Sequence, residues 1–377
     1  MSDTSKACYI LLILIFISVS CVSRVPTSHK SLTSFTKQYS HPIPYDPRHY
    51  VAYHVSAPIV IDGQLNDAAW GDIPWTEDFL DIEGDLRPIP TWQTKAKMCW
   101  TDSHFIIAAL IEEPHIWATL TQRDAIMYYD DDFEVFIDPD ADGHHYFEFE
   151  MNAYNAIWDL FMLYPYGIDD RRNYIMNWDI KGIETAVHVD GTVNDPSDLD
   201  KSWSVEIAIP WATFKDFKTG ADKPQLGDQW RINFSRVDWT MEIINGEYVK
   251  EKDDDGKPLP EDNWVWSPTG YVNMHKPETW GYVQFESDRS QRFQDRPNEK
   301  IKWAMWQTYY TLKKCIQDHG TNCTLPDSKL IKVNIENYTF SPKLEIYNGG
   351  FLISAEASEG GFYTLDHRAQ ILYHKSE

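Results

Sequence analysis

The segment "DFEVFIDPDADGHHYFEFEMN", Asp132 to Asn152, alternates apolar and polar residues twice, with a Pro- and Asp-rich break between the halves. A period of two sends successive side chains to opposite faces of a strand, so neither half suits a helix. Phe133, Val135 and Ile137 share one face of the first half; Phe147, Phe149 and Met151 share one face of the second. Burying both apolar faces on one core fixes the register: Ile137 opposite Phe147, Glu134 opposite Glu150, Phe136 opposite Glu148. The segment is expected to be a β-hairpin that turns an open, glutamate-bearing face away from the core.

Comparable short strands recur along the chain. "AKMCW" and "FIIAALI" around "TDSH" read as a hairpin, and "PIVIDG" as a strand entering a turn. "AIWDLFML", "ETAVHVD", "WSVEIAIP" and "WRINFSRV" follow, with no long helical period among them. The expected fold is all-β, an antiparallel, jelly-roll-like β-sandwich over residues 46–286, with long loops at 164–182 and 238–263. "WSVEIAIPW" is expected to be structural, with Trp158, Trp203, Trp211 and Trp230 in the core. Past residue 286 a polar stretch leads to "IKWAMWQTYYTLKKCIQDHG". Its apolar positions Trp303, Trp306, Tyr310 and Leu312 predict a helix with one buried face, stopped at Gly320. Strand-like pieces "KLIKVNI", "KLEIY", "GFLISAEA" and "AQILYH" make residues 287–377 a small α+β appendage.

The first residues belong to no domain. A polar start precedes the apolar run "ACYILLILIFISV", long enough for a signal h-region and too short to span a bilayer. Residues 1–20 resemble a bacterial lipoprotein signal, which implies lipidation of Cys21, although Ser18 stands where the usual Leu would be. A simple secretory signal is the alternative. Either way the protein is expected outside the cytoplasm, in the cell envelope or secreted, with residues 21–45 as a polar tether. Cys99 is expected to be a buried free thiol. Cys315 and Cys323, in "CIQDHGTNC", are close enough for a disulfide in an oxidising compartment.

The formal charge of −24 repels nucleic acid and anionic lipid, which excludes both as partners beyond a lipid anchor. Fourteen of the 16 Trp lie between Trp70 and Trp280, a composition suited to stacking on an uncharged ligand.

From Tyr128 to Ala153 the chain carries nine carboxylates and seven Phe or Tyr rings, and three chemistries suit such a stretch. Asp138, Asp140 and Asp142 with Gly143 resemble the start of a calcium loop. Phe149 stands where such a loop has its bidentate Glu, so the aspartates are read first as turn caps, with a structural Ca²⁺ as the alternative. Glu134 and Glu150 face each other as a glycosidase pair could, but an open sheet face would not separate their pKa values. The third chemistry is a lectin-like surface, where carboxylates and amides meet sugar hydroxyls and an aromatic ring stacks on the sugar face. His144 and His145, at the hairpin tip, are expected in solvent.

Six segments, "IDGQLNDAAW", "AKMCWTDSHFIIAALIEE", "YYDDDFEVFIDPDADGHHYFEFEMNA", "WSVEIAIPW", "WRINFSRVDW" and "WVWSPTGYVNMHKPETWGYVQF", occur in the order seen in family 9 carbohydrate-binding modules, which the chain resembles over residues 46–286. That resemblance implies a β-sandwich gripping the end of a sugar chain, with structural calcium nearby. Position by position it implies a stacking aromatic at Tyr128, with Tyr129 adjacent, and hydrogen-bonding residues at Glu134 and Asn152. Glu150 stands where those modules have Arg. A second aromatic is implied between Trp266 and Trp280, for which Trp266 or Tyr271 could serve. Arg236 in "FSRVDW" is expected to neutralise Glu134 and Glu150. The resulting expectation is a non-catalytic protein that binds oligo- or polysaccharide at the cell envelope and captures glycans for their breakdown. The alternatives are a glycoside hydrolase or its associate, and a structural, partner-binding envelope protein.

Overall fold

The computed structural model describes residues 41–168, 172–217, 223–319, 333–335, 338–347 and 350–376. The expected signal, the lipidation site Cys21, most of the tether and Cys323 lie outside them.

The sandwich is built from β1 (His49–His54), β2 (Leu80–Asp81), β3 (Thr94–Trp100), β4 (His104–Glu112), β5 (Asp132–Asp138), β6 (Tyr146–Asn152), β7 (Ile157–Met162), β8 (Tyr174–Ile175), β9 (Glu184–Asp190), β10 (Ser202–Pro210), β11 (Gln229–Asp238), β14 (Asp262–Val265) and β15 (Gly281–Glu286). One hydrogen-bonded path runs β8-β7-β6-β5-β11-β15-β1-β3-β4-β10-β9, with β14 beside β11 and β2. It curls so that its halves meet across one core. Phe133, Val135, Phe147, Phe149, Ile232 and Phe234 come from one half, and Met98, Ile107, Val205 and Ile207 from the other. Each such side chain contributes roughly 1.5–3 kcal/mol by leaving water. The pairing is mixed rather than purely antiparallel, because β1 lies parallel to both β3 and β15.

The β5–β6 register matches the expectation at every named pair: Ile137 faces Phe147, Glu134 faces Glu150, and Phe136 faces Glu148. Trp203, Trp211 and Trp230 are core residues, and Cys99 is a buried free thiol. "PIVIDG" is not a strand. The amides of Asp62 and Gly63 donate to the carboxylate of Glu206, which also takes the indole N–H of Trp70, so these two amides are satisfied without a ladder. Within the expected loop 238–263 stands a two-stranded hairpin, β12 (Met241–Ile244) with β13 (Glu247–Lys250).

The C-terminal part carries α2 (Asn298–His319), following α1, a single turn at Ala68–Gly71. Strands β16 (Val333–Ile335) and β17 (Tyr338–Phe340) pair with each other, and β18 (Lys343–Tyr347), β19 (Gly350–Glu356), β20 (Phe362–Asp366) and β21 (Ile371–His374) form a meander. Trp303, Trp306, Tyr309 and Leu312 of α2 pack on Leu344, Phe351, Ile353 and Leu365. Cys315 is disulfide-bonded.

This unit is docked rather than merely appended. Arg231, buried in β11, donates to Tyr45 Oη at 2.8 Å and pairs with Glu299 of α2 at 3.4 Å, its guanidinium lying 3.7 Å from the Tyr282 ring centre. The "DPDADG" turn meets the C-terminal segment directly. Ile371 N–H donates to the Asp142 carbonyl at 2.9 Å, and the Gln370 amide to its carboxylate at 2.7 Å. Gly143 has φ +85°, and a Cβ there would sit 2.9 Å from the Ala369 carbonyl, so no other residue fits.

Candidate functional site

The outward face of β5, β6 and β7 is not open to solvent. Phe136, Tyr146, Trp158, Leu160 and Met162 are covered by Ile82, Met127, Met274 and Trp280, which arrive from separate loops and form a second apolar cluster. That cover stops short of a cleft of 320 Å³ whose walls include Tyr128, Glu134, Phe136, Glu148, Glu150, Trp158, Tyr166, Glu261, Asn263, Asn273 and His275. The strand period explains the floor: Glu134 and Phe136, Glu148 and Glu150, and Trp158 project from neighbouring strands at facing positions. Trp158 is buried in the core as expected, within this second cluster, and it also lines the floor of the cleft.

The aromatic wall is held by its backbone. Tyr128 and Tyr129 lie in a 3-10 turn, Met127–Tyr129, just before β5. The Trp239 indole donates to the Tyr128 carbonyl at 2.9 Å and Lys250 to that of Tyr129 at 2.7 Å, with the ammonium 3.2 Å from the Trp239 ring centre. Asp130 fixes the turn from beneath, accepting from the amides of Thr119 and Leu120 and from the side chain of Asn152. The Tyr128 ring is left 37% exposed at the cleft, and Tyr166, in the turn after β7, is 42% exposed and lines the same cleft. Tyr166 stands edge-on to His275, with ring centres 4.3 Å apart. The sequence reading had not singled out Tyr166, which is the second exposed aromatic ring of the cleft.

The carboxylates here are nearly all buried: Glu134 is 5% exposed, Glu148 7% and Glu150 2%. Burial pushes the carboxyl of Glu134 up to about 7 and, with Glu134 nearby, that of Glu148 up to about 8. Burial and then Glu134 hold Glu150 well above the usual carboxylate range. His275 is driven down to about 3 by burial alone, so it is neutral near pH 7 and shares a hydrogen bond of 2.9 Å with Tyr146 Oη.

Several expected site residues stand elsewhere. Arg236 does not reach Glu134 or Glu150: it faces Phe133 across the ladder, while Ser235 shares the face of Glu134. Its guanidinium, 1% exposed, is bound by Glu113, Asp238 and the Glu112 carbonyl. Asn152 is fully buried, donating to Leu120 O and Asp130 and accepting from the amides of Tyr154 and Ala156, so it braces the loop instead of meeting a ligand. Trp266 is core, its ring so close to Gly281 that a Cβ there would lie 2.4 Å from it. Tyr271 is half-buried away from the cleft, under the Lys276 ammonium and against His41. Tyr129 is exposed beside Tyr128, ring centres 4.6 Å apart, without lining the cleft.

Two aspartates of the hairpin turn act as caps. Asp138 accepts from the amides of Ala141 and Gly143, and Asp142 from that of His144. Oxygens of Asp138, Asp140 and Asp142 still lie within 4.8 Å of one another, a spacing that fits a divalent ion. His145 is exposed as expected, but His144 is buried, its Nε2 2.7 Å from the Arg368 carbonyl, because the C-terminal unit covers the tip. A larger recess of 920 Å³ lies in the C-terminal part among Thr339, Pro342, Glu345, Ser354 and Glu356; its two carboxylates are exposed, and it lacks the buried polar floor of the cleft.

Residues 61–287 match the family described as carbohydrate family 9 binding domain-like. No curated protein matches the chain. Among solved structures, a family 9 carbohydrate-binding module of Caldicellulosiruptor kristjanssonii in complex with cellotriose is 15% identical, with 66% of this chain and all of that one covered and a TM-score of 0.40. The glucose complex from the same organism gives 15%, the same coverage and 0.41. A candidate carbohydrate-binding protein of Bacteroides uniformis is 17% identical over 64% of this chain and all of its own, with a TM-score of 0.47.

Proposed function

The chain belongs to the carbohydrate family 9 binding domain-like family, and from that premise we propose that it binds saccharide, without cleaving it, in the cleft between Tyr128 and Tyr166. One observation carries the reading: two exposed tyrosine rings border a floor of buried carboxylates and the Trp158 ring. A sugar ring offers apolar C–H faces to the tyrosines and hydroxyls to Glu134, Glu148 and Glu150, with Asn263 and Asn273 in reach of the same space. At 320 Å³ the cleft has room for about one sugar unit. The proposal includes export on the expected leader and capture of glycans at the cell envelope as a step in their breakdown.

One observation favours a hydrolytic alternative: Glu134 and Glu150 are enclosed, with oxygens within 4.8 Å of each other. Their environments push both carboxyls the same way, however, whereas an acid and a nucleophile need their pKa values moved apart. Binding is therefore the better-supported chemistry.

The test is a glycan array probed with the folded protein, each hit then assayed for hydrolysis. Retention of a glycan without turnover is expected. Absence of binding to any glycan sinks the proposal, and turnover abolished by Glu134→Gln would replace it with the hydrolase.

A further inference from the structure

Four groups of three acidic side chains bring ligand oxygens within 4.8 Å of one another among the described residues. Three of them are already compensated. Glu113 and Asp238 bind Arg236, and Asp131 of that group takes the Trp239 amide. Asp159 and Asp179 bind Arg123, which also lies 3.7 Å from Asp124. Asp138 and Asp142 cap turn amides. The fourth group, Asp132, Glu134 and Glu150, is different. Among the described residues no Lys or Arg pairs with any of its members.

Its members are also the most deeply placed, with Asp132 fully buried behind the cleft floor. Neither Asp132 oxygen has a hydrogen-bond partner of good geometry, and one oxygen of Glu150 is likewise unpartnered. The Val237 amide favours the charged form of Asp132, while burial and the neighbouring Glu134 oppose it. A buried carboxylate left without a donor costs several kcal/mol, and three pointed at one another cost more. Such a set is stable when something cationic sits among it. Oxygens bound to one calcium at 2.3–2.6 Å can be no more than about 5 Å apart, and these meet that limit.

We propose that Asp132, Glu134 and Glu150 hold one divalent cation, calcium by the hard, all-oxygen character of the donors, at the floor of the cleft. Asp132 closes the site from behind, and Glu134 and Glu150 reach it from the cleft wall. Three carboxylates leave coordination positions open toward the cleft. Resting on the saccharide-binding reading above, those positions take sugar hydroxyls, so that the ion couples the acidic floor to a neutral ligand.

The experiment uses the folded chain stripped with chelator. Calcium binding is read by calorimetry, and Tb³⁺ luminescence on Trp excitation reports an ion near Trp158. Wild type is expected to bind calcium and to show Tb³⁺ emission that calcium displaces. Glu150→Gln, which keeps the shape and removes a charge, is expected to weaken calcium binding about tenfold or more, as is Asp132→Asn. Asp140→Asn, in the hairpin turn, is expected to retain the cleft ion, which separates the two aspartate-bearing sites. Calcium affinity unchanged in both Glu150→Gln and Asp132→Asn, or no binding of calcium by the wild type, overturns the proposal. Glycan binding that persists in chelator would remove the bridging role and leave the saccharide reading standing. Calcium binding without any glycan ligand would do the reverse.

Discussion

Glu134 and Glu150 face each other across the β5–β6 ladder, on strands whose opposite face is the apolar core, and both are buried at the floor of one cleft. Like charges directly opposite on a sheet destabilise it. In chelator, Glu150→Gln is therefore expected to unfold at or above the wild-type temperature in a thermal melt. A clear loss of stability there would mean that the second oxygen of Glu150 has a favourable partner.

Asn152 → Ala removes the brace between the Tyr128 turn and β6, leaving Asp130 and the Tyr154 and Ala156 amides each short of a hydrogen bond. Buried groups so orphaned cost about 1–3 kcal/mol each. Urea denaturation should show a loss of about 2–4 kcal/mol, while Tyr129→Ala, at an exposed ring, should leave stability within about 0.5 kcal/mol.

Arg236→Met strands Glu113 and Asp238 without their guanidinium, and breaking a buried pair in this way costs about 3–5 kcal/mol. Since Arg236 projects to the opposite side of the sheet from Glu134, the folded fraction should keep its saccharide affinity. Calorimetry on that fraction checks it, and a selective loss of affinity would restore the expected charge-neutralising role.

The hairpin register was legible because a period of two with one buried face admits one solution. The same parity places Arg236 with Ile232 and Phe234, on the core side, and following it along β11 would have corrected that assignment. The cover over the outer face was not legible: Ile82, Met127, Met274 and Trp280 come from distant loops whose spacing carries no period. Tyr166 was hidden for a related reason, since the turn "YPYG" has no pattern that distinguishes a cleft wall from any other loop. The docking of α2 was equally silent, because the Arg231–Glu299 contact joins residues 68 positions apart.

Glu299 makes that joint sensitive to acid. Burial alone would raise its carboxyl, but Lys302, Arg231 and the Tyr282 hydroxyl outweigh it and hold the value near 2. A depressed carboxyl contributes stability that is present above its unfolded value, near 4.5, and is lost as pH falls toward 2. The shift corresponds to about 3 kcal/mol. Between pH 5 and 2 the C-terminal unit should loosen from the sandwich, read by Trp303 and Trp306 fluorescence. Glu299→Gln should remove that component of the pH dependence; an unchanged acid transition would place the linkage elsewhere.

The most direct test of the account is calorimetry with the tightest-binding glycan against Tyr128→Ala, Tyr166→Ala and Tyr271→Ala. Loss of either cleft ring should weaken binding about tenfold, as for an aromatic contact worth more than 1 kcal/mol, while Tyr271→Ala leaves it unchanged. Affinity untouched in both Tyr128→Ala and Tyr166→Ala but reduced in Tyr271→Ala would contradict the placement of the site.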